Sequence, residues 1–586
     1  MKSKKDKLAT LIIFLLVGVA WAVPLLKNIE NWGSMDWDQF TFWYAVPRES
    51  ILRYHQFPLW NPYSNGGNVL LAHPHSAFLS PLYIFVLLFG PIIGLKLEII
   101  IHLLIGMFGM FLLSKHLRLA KFATYLPAFV YMLSTIFTLH LTEGHLEWLT
   151  MAFIPWLFLF FLKGLKHDKY IYAGIGSLAL IIMSGGVYVS SILAIMLFLY
   201  SCLSAIQNKS IKPLKIVGII FIGAFFLSAI KLIPMLEFLR ANPRRIASLE
   251  ATEISLLPTI LLSREQGLLY QNTKWTDPKK RVKFRGRGFE YGWHEYGAYV
   301  GWLPLVLAII GLFFYFRTHW PLLLTGLTAL WISLGAGVAC NLWGLIHQLP
   351  IYNSLHVPSR FLLGFLFTLA IFSGLGLSKL ETISVKKHQQ ALIKLLIGVV
   401  VLDLLLLNFP LLKQMFTIKP VQIERHAQFQ QRYRELNIFS GRSRSSLYPI
   451  FLSNSGIING YEIAHVKKGE VTTINQSGYK KEAFLLKDNG NVRIDYFSPN
   501  KIVVEVDSEG ADRLVLNQNY DRGWRVQNHQ NRKPVESFNG LIAAVVSPGQ
   551  QRIIFSYLPF SFIIGSLLTA ATIIIGGLLW KKNVIR

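Results

Sequence analysis

The feature that most constrains this chain is a succession of apolar runs, each about 18–22 residues long, separated by short basic connections. As helix, such a run covers ~30 Å of hydrocarbon. With 53% hydrophobic and 15% charged residues, 586 residues could not clothe a soluble core this size with polar surface. Mean hydropathy is +0.43. The formal charge of +27 would point a soluble protein toward nucleic acid. Here the lysines sit between apolar runs, the pattern of loops retained inside a membrane, so no nucleic-acid partner is expected.

MKSKKDK followed by LATLIIFLLVGVAWAVPLL is too long and too cleanly apolar for a cleaved leader, so it reads as a first span with its N-terminus inside. Further spans are expected at about 96–114, 122–139, 148–162, 170–184, 188–206, 214–234, 297–316, 320–337, 361–379, 391–411 and 558–580, about twelve in all. KHLRLAK, KGLKHDK, QNKSIKPLK, FRTHW, KLETISVKKHQQ and the tail KKNVIR then fall inside. Counting AFLSPLYIFVLLFGPIIGL (77–95) as a span would reverse that order, and Pro81, Gly90, Pro91 and Gly94 interrupt it. It is read as re-entrant or interfacial. The fold class is a multi-span α-helical membrane protein with a C-terminal, mainly β, sandwich-like domain outside the membrane. Residues 1–411 form the membrane domain with outer loops at 28–95 and 235–296. Residues 412–557 form the outer domain, and 558–586 the last span and tail. NKIVVEVDSEG, DRLVLNQNY, GLIAAVVSPGQ and QRIIFSYLP alternate as strands, while about 420–440 reads as helix. Cys202 and Cys340 fall near opposite faces and are not expected to pair.

Four constellations carry possible chemistry. SMDWDQFTFWY places Asp36 and Asp38 two positions apart among aromatics beside the membrane. On a strand they would share a face; on a helix they diverge. Such acids suit a general base or an oxygen-rich site for a divalent cation. TLHLTEGHLEWLT gathers His140, Glu143, His145 and Glu147 in one turn, in no standard zinc spacing, which favours hydrogen-bonding roles. Arg360, in HVPSRF, opens a span with a donor fork suited to phosphate; the bland reading is an arginine reaching to the interface. KKRVKFRGR (279–287) suits anionic headgroups or a lipid-linked phosphate equally. No nucleotide-binding motif occurs, and every candidate faces outward, so a transferred group must arrive already activated.

DWDQFTFWYAVPRESILRYHQFPLWNPYSNGG, GHLEWLTMAFIPWLFL, EYGAYVGWLPLVLAIIGL, VPSRFLLGFLFTLAIFSGLGL and LVLNQNYDRGWRVQ with SPGQQRIIFSYLP occur in this order. In them the chain resembles the bacterial YfhO-like membrane proteins, which are similar to integral-membrane glycosyltransferases of the GT-C fold. The resemblance implies a polyprenyl-phosphate-linked sugar as donor, a cell-surface glycan or lipid as acceptor, and the bacterial cytoplasmic (inner) membrane as location, with both termini cytoplasmic. It also implies a catalytic acid in the first outer loop. Asp36, followed by Gln39 and Phe40, matches that acid, with Phe where Tyr is more usual. Asp38 is the second candidate. Substrate-binding roles fall to Glu143, His145, Glu295 and Arg360. Magnesium or manganese on Asp36 and Asp38 stays open, since some GT-C enzymes use a metal and others do not. The competing readings are a transporter or flippase for a lipid-linked saccharide, which would need acids within spans where Asp403 is the exception, and a non-catalytic envelope assembly factor.

Overall fold

The computed structural model describes residues 4–273, 291–384, 386–435, 447–460, 466–528 and 531–585. The basic run at 279–287 lies outside these. Among the described residues, eight helices are long and apolar enough to cross a membrane, or nine if one bent pair counts as a span. The shortfall from twelve has a physical cause: several apolar runs are broken by backbone geometry that hydropathy does not register. Ser134 (φ −57, ψ 151) divides the segment expected at 122–139 into Leu126–Leu133 and Thr135–Glu143. Lys169–Met183 has 15 residues. Lys212–Leu227 and Ala229–Ala241 meet at 82°. By contrast, the two spans expected at 297–316 and 320–337 correspond to two helices within Trp302–Ser333 that meet at a break at His319 (φ −118): Phe314 lies beside Lys379, whereas Gly326 faces Thr368 on the return.

Within 77–95, the 3-10 turn Pro81–Tyr83 leads straight into helix Ile84–His116. Gly90 (φ 79, ψ 168) breaks that helix just before Pro91. The same helix buries Glu98, so Asp403 is not the lone acid within the spans. Asp403 itself is engaged: it accepts from the Tyr299 hydroxyl (2.7 Å) and pairs with Arg264. These bonds tie the chain on both sides of the segment 274–290 to helix Lys387–Leu412.

The loop read at 28–95 is folded against the rest of the chain. It contains helix Trp37–Leu52, whose aromatic residues are buried. Lys96 fixes the approach to it. The Lys96 ammonium donates to the carbonyls of Asn28, Ile29 and Asn31 (2.7, 2.8 and 2.8 Å), just past the end of helix Lys4–Lys27. A lysine there complements the negative end of the helix dipole while satisfying carbonyls that have no helical partner.

The C-terminal region is β-rich. Five antiparallel strands run in the order Asn531–Pro534, Trp524–Asn528, Gly549–Tyr557, Lys501–Ser508, Gly490–Ser498. A second sheet runs Glu536–Phe538, Leu541–Val546, Asp512–Asn519, Ala483–Leu485. Trp60 of the first loop packs edge-on to Trp524 (5.6 Å between centroids) and donates its indole N–H to Gln518 (2.9 Å). The helix expected over about 420–440 is not formed in its described part. Gln430–Glu435 is a strand, parallel to Ser455–Asn459. Its alternation of buried Phe429 and Gln431 with less buried neighbours has the period of a strand.

Candidate functional site

Asp36 is placed by a glycine. Helix Thr135–Glu143 ends at Gly144, whose φ of 107° lets the chain reverse. A side chain at 144 would lie 2.4 Å from the Trp37 nitrogen, so only glycine allows the two segments to meet. Across that contact the Asp36 N–H donates to the Glu143 carbonyl (3.0 Å) and the Trp37 indole donates to the Leu141 carbonyl (2.7 Å). Asp36 is the first residue before helix Trp37–Leu52, and its carboxylate points to His145, Oδ2 to Nε2 3.4 Å.

Asp38 goes elsewhere. Its oxygens accept from the backbone N–H of Leu447 (2.8 Å) and Tyr448 (3.3 Å), at the start of helix Leu447–Leu452. The pair therefore diverges as helical geometry requires, and it does not form one oxygen-lined site for magnesium or manganese.

Behind His145 lies a buried charge network. Arg360 Nε and Nη2 clasp the two oxygens of Glu295 (2.8 and 2.5 Å), and its guanidinium lies 3.9 Å from the centre of the Tyr188 ring. The fork expected to meet phosphate thus serves a carboxylate of the chain itself, because Glu295 is buried and needs a counter-charge. His294 bridges Glu295 (3.6 Å) and Glu143 (3.5 Å), and the Tyr270 hydroxyl donates to Glu143 (2.9 Å). His140 stacks on Trp148 (3.7 Å, 8° between planes) and brings Nδ1 to 3.1 Å from His145 Nδ1.

The protonation states follow from these surroundings. Burial would push His145 down, but its bond to Asp36 and the charges of Glu147 and Glu295 outweigh burial and raise it to about 9. Burial holds His140 well below the usual imidazole range. Glu295 would be raised by burial, but the adjacent Arg360, followed by His294, holds it well below the usual carboxylate range. At neutral pH His145 is then the imidazolium. It directs Nε2–H at Asp36 and Nδ1–H at the neutral His140.

His140, His145 and Glu295 offer donor atoms within 4.8 Å of one another, a nitrogen-rich set of the zinc type. Arg360 already supplies a counter-charge to Glu295, while His140 Nε2 is buried without a hydrogen-bond partner. Asp36 differs from all of its partners in exposure: its side chain is 39% exposed, against 10% for His145 and 3% for Glu295.

Two strained residues flank the cluster. Met35 (φ 62) precedes Asp36, and Val357 (φ 61, ψ 72) precedes the turn Pro358–Phe361 that carries Arg360. A β-branched residue in the left-handed region costs on the order of 1–3 kcal/mol, and such strain concentrates at functional sites. Sequence reasoning named Asp36, Glu143, His145, Glu295 and Arg360, which meet here, and Asp38, which does not join them. His294 escaped notice although it precedes Glu295 in GWHEYG. Tyr270 and Tyr188 carry no local sequence signal.

Among solved structures, that of the arabinofuranosyltransferase AftD from Mycobacteria is similar at 12% identity, over 67% of this chain and 26% of that one, with a TM-score of 0.43. No curated protein matches. Residues 460–569, which hold the β-rich region and the start of the final helix, match the family described as bacterial membrane protein YfhO, and over that stretch the chain is YfhO-like.

Proposed function

We propose that the protein is a membrane glycosyltransferase of the GT-C type, transferring a sugar from a polyprenyl-phosphate donor to a glycan or lipid acceptor on the outer face of the bacterial cytoplasmic membrane. The observation that carries this reading is Asp36: a half-exposed carboxylate held by a buried imidazolium that is itself anchored beside a clasped Glu295–Arg360 pair. Such backing orients an acid for chemistry at a surface while leaving it open to substrate. The acceptor hydroxyl gives its proton to Asp36, and its oxygen attacks the anomeric carbon. The bond from that carbon to the phosphate oxygen breaks, and polyprenyl phosphate leaves with the electron pair. One displacement inverts the anomeric centre. His145 aims Asp36, Arg360 and Glu295 position His145, and Glu143 fixes the Asp36 backbone. None of the last three needs to touch substrate.

Surface glycans and polyprenyl-linked sugars from cells lacking the protein test this reading by mass analysis. Loss of one glycan substituent, with accumulation of its lipid-linked donor, is the expected result. Unchanged glycans and donors would remove the proposal.

A further inference from the structure

A cavity of about 780 Å³ opens between helices Lys4–Lys27, Ile84–His116 and Lys387–Leu412, far from the Asp36 cluster. The separation follows from one helical run. Arg360 at its beginning belongs to the cluster, and Glu381 near its end accepts from the N–H groups of Ala123 and of Phe122, which lines the cavity. About 1.5 Å of rise per residue puts roughly 30 Å between them, the thickness of a hydrocarbon core.

The cavity is amphipathic in a particular way. Ile13, Phe129 and Ile397 give it an apolar wall. Lys115, Lys121 and Lys394 line it as well, and their ammonium groups rest over rings: Lys115 at 5.8 Å from the centre of Phe111, Lys394 at 4.6 Å and Lys121 at 5.8 Å from Phe122. Ring faces steady these cations at the cavity without neutralising them. One lining carboxylate, Asp6, lies 3.8 Å from Lys121, so three cations face one acid. All three helices are candidate spans, and the cavity sits at their lysine-bearing ends, the level of lipid headgroups.

We propose that this cavity is a binding site for an anionic phospholipid of the leaflet beside the basic connections. The headgroup phosphate lies among Lys115, Lys121 and Lys394, and an acyl chain runs along Ile13, Phe129 and Ile397. The volume is that of a small-molecule site, the surplus of cations selects against zwitterionic lipid, and the apolar wall selects against a soluble phosphate. This inference stands independently of the transferase reading.

Native mass spectrometry of the full-length protein tests it. The protein is released from mixed vesicles of phosphatidylglycerol and phosphatidylcholine with matched chains. Wild type should retain phosphatidylglycerol in preference by roughly tenfold or more. Lys115→Ala/Lys121→Ala/Lys394→Ala should lose the preference, and Ile13→Trp, which fills the apolar wall and keeps the lysines, should lose retention. Lys394→Gln, the mildest change, should weaken the preference in protein that elutes as a single folded species. Equal retention of the two lipids by wild type, or an unchanged preference in Lys394→Gln and Ile13→Trp, would overturn the proposal. So would displacement of the lipid by millimolar inorganic phosphate, which would make the site one for a soluble anion.

Discussion

The two ends of the helical bundle treat positive charge in opposite ways. At the Asp36 end, Arg360 is buried and both sides of its fork are taken by Glu295. At the other, Lys115, Lys121 and Lys394 rest on phenylalanine rings with one carboxylate among them. A cation matched by the chain's own acid is part of the architecture, and its removal strands a buried charge. A cation steadied by a ring keeps its charge for something outside the chain. Formal charge alone, which is what a sequence shows, does not distinguish the two.

The contrast breaks at once if the two ends do not lie on opposite sides of the membrane. In a background of Cys202→Ala and Cys340→Ser, single cysteines at Lys166 and Glu509, both exposed, should react with an impermeant thiol reagent from opposite sides, an all-or-none result. Labelling of both from one side would end it. The next largest effect is catalytic. Asp36→Asn keeps shape and removes the base, so transfer should fall on the order of 100-fold to 10,000-fold with the fold intact. Wild-type turnover in that variant would move the base elsewhere.

Arg360 sharpens the comparison. Arg360→Ala should destabilise the protein by roughly 3–5 kcal/mol, because Glu295 is left buried and unpaired. Arg360→Lys should recover only part of that, since a point charge cannot clasp two oxygens. Adding Glu295→Gln to Arg360→Ala should restore stability; strictly additive losses in the double variant would show that the two residues do not act as a pair. The smallest effect is on pH. The folded value for His145 is raised to about 9 from 6.5, so its contribution is full below pH 6.5 and is lost as pH rises through 9. Thermal melts of wild type and His145→Gln should therefore converge over that window, and parallel curves would remove the imidazolium.

The helices at Val187–Asn208 and Phe560–Ile585 were legible because apolar length and basic flanks need no tertiary context. The breaks at Ser134 and Ser228 were not, because an apolar run reads alike whether its backbone continues or turns. Of the cluster, Asp36, Glu143 and His145 could be picked out because polar groups are conspicuous at the ends of apolar segments. Their pairing could not: Tyr270 reaches Glu143 from 127 positions away, and Glu295 meets Arg360 across 65. Only folding decides which charge neutralises which. Asp36 and Asp38 make the point most sharply, two acids two positions apart that helical phase sends to different partners.

Asp38 also sets a clock. Its carboxylate is satisfied by the N–H groups of Leu447 and Tyr448, 409 and 410 positions further along. At synthesis rates of about 5–20 residues per second, the first loop emerges on the order of 20–80 s before its partner exists. Through that interval the bonds from Leu447 and Tyr448 to Asp38 cannot form, and helix Trp37–Leu52 lacks its packing against helix Leu447–Leu452. Assembly around this loop is thus deferred until the C-terminal region arrives, and a ribosome that stops short of residue 447 leaves a protein with its first loop unlatched and its last candidate span, Phe560–Lys581, unmade.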